Sequence, residues 1–327
     1  MIPFAEPDLT GNERRYLLEA LDSGWISKGD FITRFELKLI ERFGWHAVVC
    51  SSGTAALHLA LLAGGIGHGA RVILPDLTFA SAAHVVKHVG AELVLADVDS
   101  CGLISAAAVR ELAYQGARAV MPTHLFGQQC DMRSIMATAR EYGLLVIEDA
   151  AEMCRPWMIQ GDFACMSFYG NKQITTGEGG AVFCKTQWSA DQVRKWRDHG
   201  MTHAYWHDRA GLNYAMTNIQ AAIGTAQMER YEEFRARRDV VRGRYREAGL
   251  EGFGDWVWVT PKKPMKSVET RPIFTPLHTL PHMVAPGDFP NAIEIYRNNM
   301  MLPCAPHLDH WAVGEIIREY QELARAA

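Results

Sequence analysis

The chain has 327 residues, 48% of them hydrophobic, with 33 Lys and Arg against 37 Asp and Glu, a net charge of −4 and a pI near 6.4. That length allows one large domain with an appendage and a sizeable buried site. The acidic balance disfavours a nucleic-acid partner, and the basic run Arg235 to Arg246, with Glu232, Glu233 and Asp239 interspersed, reads as a solvated helix face.

Thr10 with Glu13 forms a capping-box pattern, predicting a helix that ends near Gly24. Short apolar runs follow at Ala47–Cys50, Arg71–Pro75, Glu92–Ala96, Ala119–Pro122, Leu144–Glu148, Ala164–Phe168 and Ala181–Cys184. Between them Thr54–Ala63, Ala80–His88, Ser105–Tyr114 and Met132–Tyr142 have helical periodicity or composition. This alternation predicts an α/β fold with a mainly parallel seven-stranded sheet and helices on both faces. A long helix starting near Ile219 and reaching about Ala248 would bridge to a smaller C-terminal α+β domain, with the W-V-W-V alternation at Trp256–Val259 and a final helix at Trp311–Ala326. The expected domains are residues 1–235 and 236–327.

The seven cysteines are dispersed with no C-x-x-C pair, which suits a reducing compartment. The opening residues lack the features of a signal peptide, and the most apolar stretch, Thr54 to Gly65, is short and contains His58. A cytoplasmic protein with no membrane partner is expected.

In an open α/β sheet, ligands bind beyond the carboxyl ends of the strands. After the first run stands S-S-G-T (Ser51 to Thr54), where Gly53 and Thr54 at a helix start suit a phosphate; a plain N-cap reads equally well. Phe79 follows the second run at a helix entrance, where it could stack on a planar ring, although singly it reads as core. Asp149 ends the fifth run and could pair with a protonated ring nitrogen or merely cap a helix. Ser167 opens the stretch S-F-Y-G-N-K-Q-I-T-T-G-E-G-G, in which Lys172 leaves an apolar strand between small residues. A lysine amine becomes a nucleophile toward a carbonyl cofactor when such surroundings lower its pKa. Only nine lysines accompany 24 arginines, and the other eight lie in charged or loop-like contexts. Together these residues describe a pyridoxal 5'-phosphate site, with no metal.

The stretches S-G-T-A-A-L-H-L-A-L, H-L-F-G-Q, V-I-E-D-A-A-E, S-F-Y-G-N-K-Q-I-T-T-G-E-G-G, R-D-H-G and N-Y-A-M-T-N-I-Q-A-A-I-G resemble the DegT/DnrJ/EryC1/StrS sugar aminotransferases over about Ile2 to Met283. The resemblance implies fold type I and a homodimer with shared active sites. Lys172 would be the Schiff-base lysine and proton carrier, Asp149 the partner of the ring nitrogen, and Glu152 a neighbour of the ring hydroxyl. Phe79 would stack on the ring while Gly53, Thr54 and Ser167 hold the phosphate, with Asn213 reaching the neighbouring subunit's cofactor. The implied reaction moves an amino group from L-glutamate to C4 of a nucleotide-linked 4-keto-6-deoxy sugar, GDP-4-keto-6-deoxymannose first and UDP- or dTDP-linked sugars as rivals. Trp25, Arg271 and His278 are the expected substrate contacts.

Three departures accompany the resemblance: a short segment between Glu152 and Gly161, Ala215 where arginine is usual, and a trimmed region between Gly249 and Glu269. Lys172 disfavours a dehydratase of the same family, which would carry histidine there. A non-catalytic, cofactor-binding regulator is the remaining alternative, and no DNA-binding appendage supports it. The turn G-G-I-G-H-G (Gly64 to Gly69) follows a helix, on the wrong side for dinucleotide binding.

Overall fold

The computed structural model describes residues 1–250, 254–260, 264–283 and 285–325. Helices α1 (Glu13–Asp22) and α2 (Asp30–Phe43) precede a sheet of β1 (His46–Cys50), β2 (Arg71–Pro75), β3 (Glu92–Ala96), β4 (Ala119–Val120), β5 (Leu145–Asp149), β6 (Phe163–Ser167) and β7 (Gly180–Cys184). Interleaved with these strands are α3 (Gly53–Ala63), α4 (Ser81–His88), α5 (Ala106–Tyr114) and α6 (Met132–Tyr142). Then come α7 (Gln187–Arg197), the hairpin β8 (Met201–His203) and β9 (Trp206–His207), α8 (Asn218–Glu229) and α9 (Tyr231–Glu247). The last third holds β10 (Val257–Val259), β11 (Arg271–Pro272), α10 (Pro290–Asn298), β12 (Met300–Leu302) and α11 (His310–Arg325).

The large sheet runs β1-β7-β6-β5-β4-β2-β3, with β7 antiparallel to both neighbours and every other pair parallel. Both faces are covered, which is why its strands read as unbroken apolar runs. On one face α3 is buried from Ala55 through Leu61, so it is apolar all round instead of striped. On the other face Phe31, Phe35 and Leu39 of α2 pack with Ala221 and Ala222 of α8 over Val49, Phe168 and Phe183. β10, β12 and β11 form a second, antiparallel sheet, whose apolar side joins the core of the first through Phe126, which contacts Trp258 and Phe274.

All seven large-sheet strands lie where the sequence places them, β4 being two residues shorter. The capping box at Thr10 is a misreading. Asn12 is the N-cap and makes no side-chain cap bond. Thr10 Oγ1 instead donates to Asp8 at 2.6 Å, and Glu13 is buried, accepting from Gln227 Nε2 at 2.7 Å. Charge sets this choice: Asp8 accepts from Arg230 at 2.8 Å and Arg237 at 2.7 Å, bonds stronger than a hydroxyl cap.

The expected long helix is two, meeting at Arg230, where φ is −110° and the guanidinium is held by Asp8 and Glu233. The trimmed region between Gly249 and Glu269 lies partly outside the described residues, as does the end of the final helix at Ala326. Residues 2–4 do not lie with the large sheet alone. The Ile2 N–H donates to Ser267 O at 2.7 Å, and the Glu269 N–H returns to Ile2 O at 2.9 Å, strapping the first residues to the second sheet.

Candidate active site

A cavity of about 500 Å³ opens at the carboxyl ends of β1, β2, β4, β5 and β6 and is closed on one side by the second sheet. The structure brings Gly53, Thr54, Phe79, Asp149, Glu152, Ser167, Lys172 and Arg271 together on its walls. It does not bring Trp25, His278 or Asn213 there.

Lys172 follows β6 in a loop whose Thr176 N–H and Thr175 hydroxyl both return to Phe168 O, and the Lys172 N–H returns to Tyr169 O. Its side chain is 15% exposed, with Nζ 3.8 Å from Glu152 Oε1 and 5.9 Å from the centre of the Trp256 ring. The second Glu152 oxygen accepts the Phe126 N–H at 2.9 Å, which anchors the carboxylate.

Asp149 ends β5 with its backbone bonded to Pro122 and His124, and its side chain accepts one bond, from the Ala151 N–H at 3.1 Å. Burial pushes its carboxyl up to about 6, against the opposing pull of that N–H and of Lys172. A cationic partner at this carboxylate would offset the cost of burial.

Behind it, Glu148 is fully buried yet held below the ordinary carboxylate value. Burial pushes it up, but four donors outweigh that: His124 Nε2 at 2.8 Å, Trp157 Nε1 at 3.0 Å, and the Gln160 and Gly161 N–H groups at 2.6 Å. Those bonds tie down the short segment after Glu152.

At the opposite end of the cavity Ser52 caps α3, accepting the Ala55 N–H at 3.0 Å, and Ser167 faces it from β6. A Cβ on Gly53 would come within 2.8 Å of the Ser167 Cβ, and one on Gly180 within 2.3 Å of Ser52 O. This corner therefore presents hydroxyls and the first N–H groups of α3, the chemistry that takes a phosphate. Phe79 is 59% exposed, with its ring 5.7 Å from Phe274. Phosphate corner, exposed aromatic, buried carboxylate and partly shielded lysine occur in one space, so these residues fit pyridoxal phosphate.

His278 is pinned elsewhere. Its Nδ1 lies 2.6 Å from Asp76 Oδ2 and its N–H donates to Oδ1 at 2.9 Å, fastening the turn at Leu277 to the end of β2. The buried Asp76 needs those partners, so the structure places the expected substrate contact His278 on Asp76 and away from the cavity walls. Trp25 is 67% exposed in a separate hollow with Lys28, Arg34 and Asn218. Asn213 is exposed, its backbone bridged to Asp198.

The family profile of the DegT/DnrJ/EryC1/StrS aminotransferases matches residues 7–266. The chain belongs to that family. It resembles the GDP-perosamine synthase of Caulobacter vibrioides, 41% identical with 86% of each chain covered, and that of Vibrio cholerae, 36% identical with 97% of each covered. Among solved structures, the aminotransferase TlmJ from Streptoalloteichus hindustanus superimposes with a TM-score of 0.92 at 26% identity, covering 100% of this chain and 99% of that one. The family's cofactor is pyridoxal phosphate, and this chain is an aminotransferase that uses it.

Sequence reasoning gave no role to several lining residues, among them Ser52, Asn171, Trp256 and Phe4. Ser52 stands in the S-S-G-T motif directly before Gly53 and Thr54. Asn171 directly precedes Lys172 in the S-F-Y-G-N-K stretch, whereas Tyr169, read from the sequence as a dry wall for the lysine, does line the cavity. Trp256 read only as part of a strand, and Phe4, buried against it, carries no local signal at all.

Proposed function

We propose that this chain transfers an amino group from L-glutamate to C4 of GDP-4-keto-6-deoxymannose, yielding GDP-perosamine. The observation that carries the chemistry is the convergence of Lys172, Asp149, Ser52, Gly53, Thr54 and Ser167 on one cavity. The likeness to the two GDP-perosamine synthases supports the substrate. When bound, the cofactor supplies an electron sink for labile bonds beside nitrogen.

The residues divide the remaining work. Lys172 carries the cofactor and moves a proton at Nζ, while Glu152, 3.8 Å away, orients that amine. Asp149 offers its carboxylate to the ring nitrogen, Phe79 covers one ring face, and Gly53, Thr54 and Ser167 hold the phosphate. Phe4, Trp256 and Phe274 exclude water from the wall formed by the second sheet. Arg271 is the substrate cation.

The working unit we propose is a homodimer in which Asn213 completes the neighbour's phosphate site. Its exposure outside its own cavity supports this, as does the adjacent hairpin, where Tyr205 and Trp206 are 91% and 61% exposed. Residues 1–235 form the large domain and 236–327 the small one. No helix among the described residues is long and apolar enough to cross a membrane, and seven unpaired cysteines support a cytoplasmic setting.

Assay of GDP-, UDP- and dTDP-linked 4-keto-6-deoxy sugars with L-glutamate tests the reading. Turnover of the GDP-linked sugar is expected. Turnover of a UDP- or dTDP-linked sugar alone would overturn the substrate while leaving the transaminase, and no conversion of the cofactor by glutamate would favour a regulator.

A further inference from the structure

One wall of the cavity is backed by a column of two stacked rings between two cations. The Arg271 guanidinium lies 4.3 Å from the centre of the Phe4 ring, and Phe4 stacks on Trp256 at 6.0 Å with planes 13° apart. Beyond it Arg238 lies 4.9 Å from the Trp256 ring. The inner end is rigid: Arg238 is 2% exposed, and its Nε donates to Gln173 at 2.9 Å. The outer end makes a long, solvent-exposed ion pair, which leaves most of its donors open. Arg271 has a 40% exposed side chain, and its carboxylate neighbour Glu269 stands 3.8 Å off. Glu269 is itself held by the Phe4 N–H at 3.0 Å, so Phe4 governs Arg271 twice, by its ring and through its backbone.

A guanidinium carbon seated over a ring face leaves donors open to other partners, and a long side chain fixed in advance loses less freedom on binding. We infer that Phe4 is a positioning residue that pre-aims Arg271 at an oxyanion of the substrate. The oxyanion is the diphosphate of the nucleotide sugar or the carboxylate of the amino donor, both of which suit a planar fork. The inference rests on the aminotransferase reading given above and adds to it a residue from the opening strap of the chain.

The test is binding to the cofactor-loaded enzyme by titration calorimetry, with GDP as one probe and 2-oxoglutarate as the other. Phe4→Leu keeps an apolar side chain but lacks the ring face, Phe4→Tyr restores it, and Arg271→Met removes the cation. The expected result is that Phe4→Leu and Arg271→Met weaken the same probe, Phe4→Leu by on the order of tenfold. Phe4→Tyr should bind as the wild type does, and the double variant should be no weaker than Arg271→Met alone. Weakening of GDP identifies the diphosphate, and weakening of 2-oxoglutarate the carboxylate. Unchanged binding of both probes in Phe4→Leu, or additive losses in the double variant, would overturn the positioning role. A wild-type enzyme that bound neither probe would remove the functional reading itself. Thermal unfolding of each variant separates lost aim from lost fold.

Discussion

Glu152 spans two elements, facing the Lys172 amine at 3.8 Å with one oxygen and accepting the Phe126 N–H at 2.9 Å with the other. The carboxylate is thus fixed by backbone before it acts on the lysine, and the amine is held in one direction. If that lysine is the cofactor-bearing and proton-carrying group, Lys172→Ala should lower turnover by at least ~10³-fold with an unchanged melting temperature. Borohydride reduction of the loaded wild type, followed by peptide mapping, should find the cofactor on the peptide containing Lys172. A label on any other lysine refutes the assignment.

Asp149 makes a pH prediction for the cofactor-free chain. Its carboxyl moves from an ordinary 3.8 to about 6 on folding. Below pH 4 both states carry the proton, and above pH 6 the folded chain must bury a charge that the unfolded chain keeps in water. Its contribution is therefore greatest in acid and is lost as the pH rises through 6. Asp149→Asn should gain stability relative to the wild type over that window, by about 3 kcal/mol at most. Urea unfolding of both proteins at pH 5 and pH 8 measures the difference, and a constant gap would contradict it. Loading the cofactor should shrink the gap, because a cationic ring nitrogen stabilises the charged carboxylate.

If the proposed homodimer shares its sites, inactive chains will be complementary. Mixed in equal amounts, unfolded and refolded together, Lys172→Ala and Asn213→Ala should recover about a quarter of wild-type activity, since half the dimers are hybrid and each hybrid has one intact site. Full activity in a preparation shown by sedimentation to be monomeric would rule this out.

The pair His278 and Asp76 predicts a stability effect without a binding effect. His278→Ala leaves the buried Asp76 without its imidazole and should cost about 3 kcal/mol in chemical denaturation. The KM for either substrate should change less than twofold. A raised KM at unchanged stability would return His278 to the substrate site.

The large sheet was legible because strands buried on both faces are written as continuous apolar runs, and its strand ends then located Gly53, Asp149, Ser167 and Lys172. Helix α2 was overlooked although Phe31, Phe35 and Leu39 recur every four residues on its buried face. What could not be read locally depends on partners far along the chain. Thr10 looks like a cap until Arg230 and Arg237 are seen to claim Asp8. His278 looks free until Asp76 is placed beneath it. Phe4 has no pattern around it, and its place is decided by Trp256, Glu269 and Arg271.

The strap of residues 2–4 has a consequence for synthesis. Phe4 is made well before the carboxylate that fixes its N–H, which lies 265 positions later. At a ribosomal pace the chain waits on the order of tens of seconds before that wall can close. The α/β sheet can assemble meanwhile around a pocket still open to water, so competence to bind substrate should appear as a late, separate step in refolding, after most of the helical signal has returned.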